Sequence, residues 1–440
     1  MAPVHGRPSG GSRLRGVARA GVVGVLLCAL SASAVRAAVA ADGTVPYDYV
    51  PGAGTVAGTE GTAGASLLEA GSAYRSSLPR DGARYYRLEL DAAETAYVSV
   101  TAVPRAGGTV AATDGVRVSL RDANGGTCSL ATEQFGASHS PHPVAASASR
   151  EVAPGSGVCQ GAGTYYVVVE RADAKNSQAG DWGLELTAVS EPGLKAAGAT
   201  KAPEAWDSAT PEPPAGTAVR RAGGAGFGSA VTVGRGTWTA DIRPGRTLFY
   251  RVPLDWGQQL DATAELGAGP GSGYVTGALT TSLYNPVRDD VQDVALSYGG
   301  RAASAALDSS PPVAYANRFS FSDQVRAMRV AGAYYLVVHL AGQTADRFGD
   351  GPFTLTLRLG IRGEVRAGPG YAGRSVPSGV FEVSDAERDA ATAHGAAGTG
   401  ADPGMRAVAA GGIGGGTVLL AGLGVWTVLS RRRAAAAGRG

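Results

Sequence analysis

The chain repeats itself. Tyr74, Leu78, Tyr85-Tyr86-Arg87-Leu88 and Asp91 fall on Trp238, Ile242, Phe249-Tyr250-Arg251-Val252 and Asp255 without a gap. Further along, Ala162-Gly163-Thr164-Tyr165-Tyr166-Val167-Val168-Val169 falls on Ala331-Gly332-Ala333-Tyr334-Tyr335-Leu336-Val337-Val338. Gly180-Asp181 then falls on Gly349-Asp350, and Leu184-Glu185-Leu186-Thr187 on Phe353-Thr354-Leu355-Thr356, with a small insertion between the blocks. Chance does not readily produce several ordered matches of this kind, so whatever one half folds into, the other must fold into as well.

Each half reads as β. Tyr86-Arg87-Leu88-Glu89-Leu90 and Val116-Arg117-Val118-Ser119-Leu120 alternate as half-buried strands do. Tyr165 to Val169 is a continuous aromatic and β-branched run, which suits a strand covered on both faces. Asp122-Ala123-Asn124-Gly125-Gly126 is a turn signal. Long amphipathic helical patterns are absent, and short strands between Gly- and Pro-rich turns predict an all-β protein of two tandem β-sandwiches, residues 57–190 and 227–362. Residues 191–226, with Pro192, Pro203, Pro211, Pro213 and Pro214, predict a partly extended linker that separates them. Residues 363–406 are Gly/Ala-rich with few large apolar side chains and predict a flexible stalk, with a short helix around Ser384 to His394.

The ends of the chain carry apolar segments of different character. Arg7, Arg13, Arg15 and Arg19 precede an apolar run from Gly21 to Leu30, and Ala38-Val39-Ala40 offers a cleavage site, which predicts a signal peptide over residues 1–40. The run is short for the ~20 residues that a retained membrane span requires. Residues 407–430 are long enough to cross a bilayer, and Arg431-Arg432-Arg433 follow at once. By the positive-inside rule the tail 431–440 is cytoplasmic. The expectation is a single-pass type I protein of the cell membrane with its ectodomain outside. Gly411 with Gly415, and Gly412 with Gly416, add the small-xxx-small spacing of closely packed helices.

Formal net charge is +2 with 17% charged residues, without the basic patch that nucleic-acid binding needs. Cys28 lies in the signal, which leaves Cys128 and Cys159; in an oxidising compartment these predict a disulfide. A metal pair would need companion ligands beyond His139 and His142 in the same loop. No H-E-x-x-H, G-x-S-x-G, P-loop or dinucleotide fingerprint occurs, so no catalytic residue, metal or cofactor is assigned. His339 falls in a buried strand and reads as a satisfied core histidine; the other mature histidines read as solvated. Asp91 and Asp255 are repeat equivalents, either ligand contacts or turn residues bonding nearby backbone N–H groups; the same choice applies to Asp181 and Asp350. Asp289, Asp290 and Asp293 are the densest acidic group, either oxygen ligands for a cation or a solvated loop. Trp256, Asp255 and Trp182 are the candidate binding residues. An exposed tryptophan stacks on sugars or anchors a protein partner; a buried one packs across the sandwich end. Trp206 lies in the linker.

These strands carry a resemblance. A Tyr-Tyr-Arg or Phe-Tyr-Arg strand, then Val118-Ser119-Leu120-Arg121-Asp122-Ala123-Asn124-Gly125 or Thr281-Ser282-Leu283-Tyr284-Asn285-Pro286, then the Tyr-Tyr strand and a closing alternating strand, resemble the bacterial pre-peptidase C-terminal domain. That resemblance implies a jelly-roll-like sandwich in each half and a noncatalytic binding or spacer role. Members of that family sometimes bind calcium through clustered loop carboxylates; here the acidic loop residues are sparse. The stretch from Phe249 to Leu260 also resembles a segment of uncharacterised actinobacterial exported membrane proteins, some linked to von Willebrand A domains, and no such domain is recognisable here. The reading is a noncatalytic cell-surface protein that binds an envelope protein or membrane complex. The alternatives are a cell-wall glycan and an envelope hydrolase, which would require a buried carboxylate or histidine pair of perturbed pKa in a cleft.

Overall fold

The computed structural model describes residues 46–392 apart from 106, 153–157, 178–179, 197, 204, 210–213 and 215–216. The signal segment, the 407–430 segment, the basic tail and His394 lie outside the described residues. Among the described residues no helix is long and apolar enough to cross a membrane.

The first sandwich is built from β1 (Gly54–Thr55), β2 (Ser66–Leu67), β3 (Ala73–Leu78), β4 (Ala83–Leu90), β5 (Thr95–Val103), β6 (Gly115–Asp122), β7 (Thr127–Gln134), β8 (Val144–Arg150), β9 (Gly163–Arg171) and β10 (Trp182–Glu191). Its two sheets have the orders β1-β3-β10-β5-β8 and β2-β4-β9-β6-β7. The second is built from β11 (Val219–Arg220), β12 (Val231–Thr232), β13 (Gly236–Ile242), β14 (Thr247–Leu254), β15 (Gln259–Leu266), β16 (Val275–Tyr284), β17 (Asp290–Tyr298), β18 (Ala303–Ala306), β19 (Gly332–Leu340) and β20 (Phe353–Arg362), with helices α1 (Asp323–Ala327) and α2 (Thr344–Phe348) in its loops. Its orders are β11-β13-β20-β15-β18 and β12-β14-β19-β16-β17, those of the first sandwich with every label raised by ten. Setting aside the two-residue strands, which pair in parallel with their neighbours, the eight long strands of each half are wound as a jelly roll.

Alternation fills the cores. Val116, Val118 and Leu120 of β6, Tyr165, Val167 and Val169 of β9, and Trp182, Leu184 and Leu186 of β10 all point into the first core. The β6–β7 hairpin turns where the sequence places it: Asp122 Oδ1 accepts from the N–H groups of Asn124 and Gly126, and Gly125 takes φ +86°. The Cys128–Cys159 disulfide forms across a separation of 31 residues. Replacing both cysteines with serine is expected to cost about 3–4 kcal/mol, because the unfolded chain regains the entropy of an open loop; calorimetry of oxidised wild type against the double variant measures it.

The structure corrects one alignment. Trp182 stands opposite Leu78, and Phe353 stands opposite Ile242. Since Leu78 and Ile242 are equivalent, Phe353 is the counterpart of Trp182 and not of Leu184. The sequence register of the last strand is two residues out. A two-residue slip preserves which side chains face inward, so the hydrophobic pattern cannot detect it.

The linker and stalk also differ from expectation. The sandwiches are not held apart. The outer face of the β1-β3-β10-β5-β8 sheet packs on the outer face of the β12-β14-β19-β16-β17 sheet. Ala145 joins Phe227, Phe249, Tyr284 and Val337 in one apolar cluster, while Tyr97 and Val189 join Val287, Val330 and Phe381 in another. This seam buries Ser99, Thr101 and Ser147 on what reads in sequence as a solvent-facing side. Residues 363–392 form a strap rather than a free stalk. Val376 exchanges backbone bonds with Ser190, Lys195 N donates to Gly370 O at 2.8 Å, and Ala372 N donates to Gly193 O at 2.8 Å. The strap ends in α3 (Asp385–Thr392), where Ser384 Oγ accepts from Glu387 N while Glu387 Oε2 accepts from Ser384 N, a capping box that starts the helix. Backbone bonds and a few anchoring side chains, Tyr371, Phe381 and Arg388, hold this Gly/Ala-rich segment in place, which is why composition misreads it.

Candidate functional site

Two of the candidate residues hold the strap. Asp255 follows β14, and its carboxylate accepts from Arg388 Nη2 at 2.9 Å and Nε at 3.2 Å, tying α3 to the second sandwich. Trp256 is 9% exposed. The backbone of Gly368 lies against its indole so closely that a Cβ there would sit 2.4 Å from Nε1. Arg366 N donates to Trp256 O at 2.9 Å. At the equivalent turn of the first sandwich Ala92 replaces Trp256, and the linker's Gly193 lies against it, so that a Cβ there would sit 3.2 Å from Ala93 O. Asp91 instead caps its own turn, its Oδ1 accepting from Ala93 N at 2.7 Å and Glu94 N at 2.8 Å; these bonds hold its carboxyl below the usual range.

Trp182 is a core residue. The Arg171 guanidinium lies 3.6 Å over its ring, Phe135 meets it edge-on at 5.4 Å, and Arg171 is ion-paired with buried Asp114. Asp181 and Asp350 are exposed.

The seam holds charges that sequence reasoning missed. Three arginines of the second sandwich reach three glutamates of the first: Arg288 to Glu185 at 2.6 Å, Arg318 to Glu191 at 2.8 Å, and Arg329 to Glu151 at 3.5 Å. Arg329 also pairs with Asp289 at 3.3 Å. Tyr97 and the strap's Tyr371 both donate to the Glu191 carboxylate, at 2.6 Å and 2.8 Å. Alternation marks Glu185 as outward-facing, and no local pattern distinguishes an outward residue that meets water from one that meets a second sandwich.

Two clusters of titratable groups also meet there. His142, expected to be solvated, stacks on His339 with centroids 4.3 Å apart and planes 18° from parallel. His339 is the satisfied buried histidine that its strand implies: Nε2 bonds Ser140 Oγ at 2.9 Å and Nδ1 bonds Thr247 Oγ1 at 3.0 Å. Burial pulls His142 down to about 4 and pulls His339 well below its ordinary range, with the neighbouring ring adding to the effect. Glu133 of β7 faces Asp290 and Asp293 of β17; burial first, then these like charges, holds Glu133 far above the usual carboxylate range. Asp290 is pushed up to about 7 by burial and by Asp293 and Asp289. Asp290 lines a polar crevice of about 720 Å³ beside the disulfide, and the charge of Glu133 also acts on buried Tyr284. Among the described residues no group of three or more His, Cys, Asp or Glu is placed to hold a metal.

The structure brings Trp206 and Trp256 together. Both line a groove of about 750 Å³ between the linker, the strap and the end of the second sandwich, walled by Pro203, Pro311, Pro312 and Tyr315. Trp206 is half-buried there, and the Tyr315 ring is backed by the Arg318 guanidinium at 3.5 Å. Asp207 fixes the linker wall: its carbonyl accepts from Gln259 Nε2 at 2.9 Å and its carboxylate pairs with Arg362 at 3.0 Å.

No family model matches this chain, and no curated protein matches it. Among solved structures it is similar to the CUB1-EGF-CUB2 region of human MASP-1/3, at 8% identity over 66% of this chain and 99% of that one, with a TM-score of 0.17. It is similar to the CBM22-1-CBM22-2 tandem of Paenibacillus barcinonensis Xyn10C, at 12% identity over 67% and 92%, with a TM-score of 0.19. It is similar to the cowpea mosaic virus top component, at 11% identity over 72% and 96%, with a TM-score of 0.17. These scores assign neither a family nor a ligand.

Proposed function

We propose that this chain is a noncatalytic cell-surface protein, anchored through residues 407–430, whose two sandwiches act as one rigid body that binds an envelope protein. The observation that carries the reading is the groove. Its walls come from stretches as distant as Leu194 and Gly370, so it exists only when linker, strap and second sandwich are assembled. Proline, tryptophan and tyrosine walls suit an extended peptide segment, in the manner of aromatic grooves that take proline-rich ligands. The pre-peptidase-like resemblance and the type I topology agree with this role.

Trp206→Ala tests it. Half-buried aromatic anchors dominate interface energetics, so capture of the partner from gently solubilised membranes by the tagged full-length variant is expected to fall about tenfold or more, with the melting temperature unchanged. Quantitative mass spectrometry reads the capture. Undiminished capture would remove the groove from the reading. Loss of retention on cell-wall polymer, with protein capture intact, would replace the partner by a glycan.

A further inference from the structure

We infer that the stacked His142–His339 pair makes the seam between the sandwiches acid-labile, so that protonating it drives them apart. The two rings come from different sandwiches and touch face to face. Among the described residues their partners are hydroxyls, carbonyls and one aromatic ring. His142 has Ser140 O at 2.7 Å and the edge of Phe135 at 5.3 Å. His339 has the hydroxyls of Ser140 and Thr247 and the backbone of Arg246. Across the sheet, β16 sets Thr280 beside His339, and Gln343 at the start of α2 donates to Ser138 O and His139 O. The carboxylate behind Phe135 and Trp182, Asp114, is already paired with Arg171. Arg243 and Arg246 stand at the turn into β14, where the charge of Arg243 acts on Arg246. Among these partners a proton on either ring meets no anion, and a proton on both places two cations face to face.

The sign follows from linkage. Apart, both rings titrate near ~6.5; together, burial holds His142 at about 4 and His339 well below its ordinary range. The separated form therefore binds protons first. Seam stability is full above ~6.5 and is lost as pH falls below it. At pH 5 the shift in His142 alone corresponds to roughly 30-fold towards the open form. The Glu133 and Asp290 carboxylates act in the opposite sense, because burial and neighbouring acidic groups favour their protonated forms in the closed seam. The histidine effect is therefore read as a difference between proteins that all keep these carboxylates.

Urea titrations of the full-length protein in mild detergent at pH 7.5 and pH 5, followed by hydroxyl-radical footprinting of Tyr97 and Tyr284, measure opening, since both side chains are buried at the seam. Between the two pH values, the wild-type opening constant is expected to rise at least about 30-fold more than that of the His142→Phe/His339→Gln variant. An equal pH response in the two proteins overturns the inference. Should the double variant already be open at pH 7.5, His142→Phe alone decides: it keeps an aromatic ring in the stack, and its pH response must be smaller than that of wild type.

Discussion

Replacing Arg288 with alanine is expected to destabilise the protein by about 3–5 kcal/mol. Glu185 is fully buried, and its two oxygens are held by Arg288 at 2.6 Å, Tyr47 Oη at 3.0 Å and Val50 N at 2.7 Å. Without the guanidinium, a carboxylate remains in the seam with two neutral donors and without its ion-pair partner. Breaking a buried pair by removing one partner costs far more than the pair itself contributes, because the desolvation of the survivor is no longer offset. The Arg288 guanidinium also lies 4.5 Å over the Phe227 ring, so packing is lost as well. The double replacement Arg288→Met with Glu185→Leu is expected to recover part of the loss, since it removes both charges and keeps volume but leaves Tyr47 Oη and Val50 N without their acceptor. Urea unfolding of wild type and the two variants separates the cases. A single variant within about 1 kcal/mol of wild type would show that the seam does not bury this pair.

Phe381→Ala is expected to cost about 3–5 kcal/mol, the range for truncating a fully buried phenylalanine. The side chain is 2% exposed and belongs to neither sandwich. It reaches from the strap into the cluster of Tyr97 and Val189 on one side and Val287 and Val330 on the other, with its ring edge-on to Tyr97 at 6.2 Å. Truncation opens a cavity where three parts of the chain meet, so the strap is expected to loosen before the cores do. Limited proteolysis should then cut between Gly363 and Ser384 at a rate well above that of wild type, while the jelly-roll strands stay protected. An unchanged cleavage pattern together with unchanged stability would mean that the strap does not depend on Phe381 and is held by its other contacts.

Other strap contacts show how far sequence reasoning reached. Ser384 and Glu387 form a local signal, and the helix they imply is present over Asp385–Thr392. Asp255 and Trp256 read as binding candidates because one is polar at a strand end and the other lacks a counterpart in the first repeat. Both features have a physical cause, but the cause is the strap, which arrives from more than a hundred residues away in sequence. Trp206, set aside as a linker residue, is the tryptophan with a half-exposed face in the groove. Nothing near it in sequence indicates the groove, whose other walls come from distant segments.

The sequence by itself determined the duplication, the β character of each half, the core faces of β4, β6, β9 and β19, the β6–β7 turn and the disulfide. All of these rest on neighbours within a strand, on a two-residue period, or on the count of cysteines. Only the tertiary structure decided that the two sandwiches share a buried seam, that arginines 288, 318 and 329 of one meet glutamates 185, 191 and 151 of the other, and that residues 363–392 strap the pair together. The physical reason is that a strand's outward face is polar and small whether it meets water or a second polar sheet. Which of the two it meets depends on charges and backbone groups brought together from opposite halves of the chain.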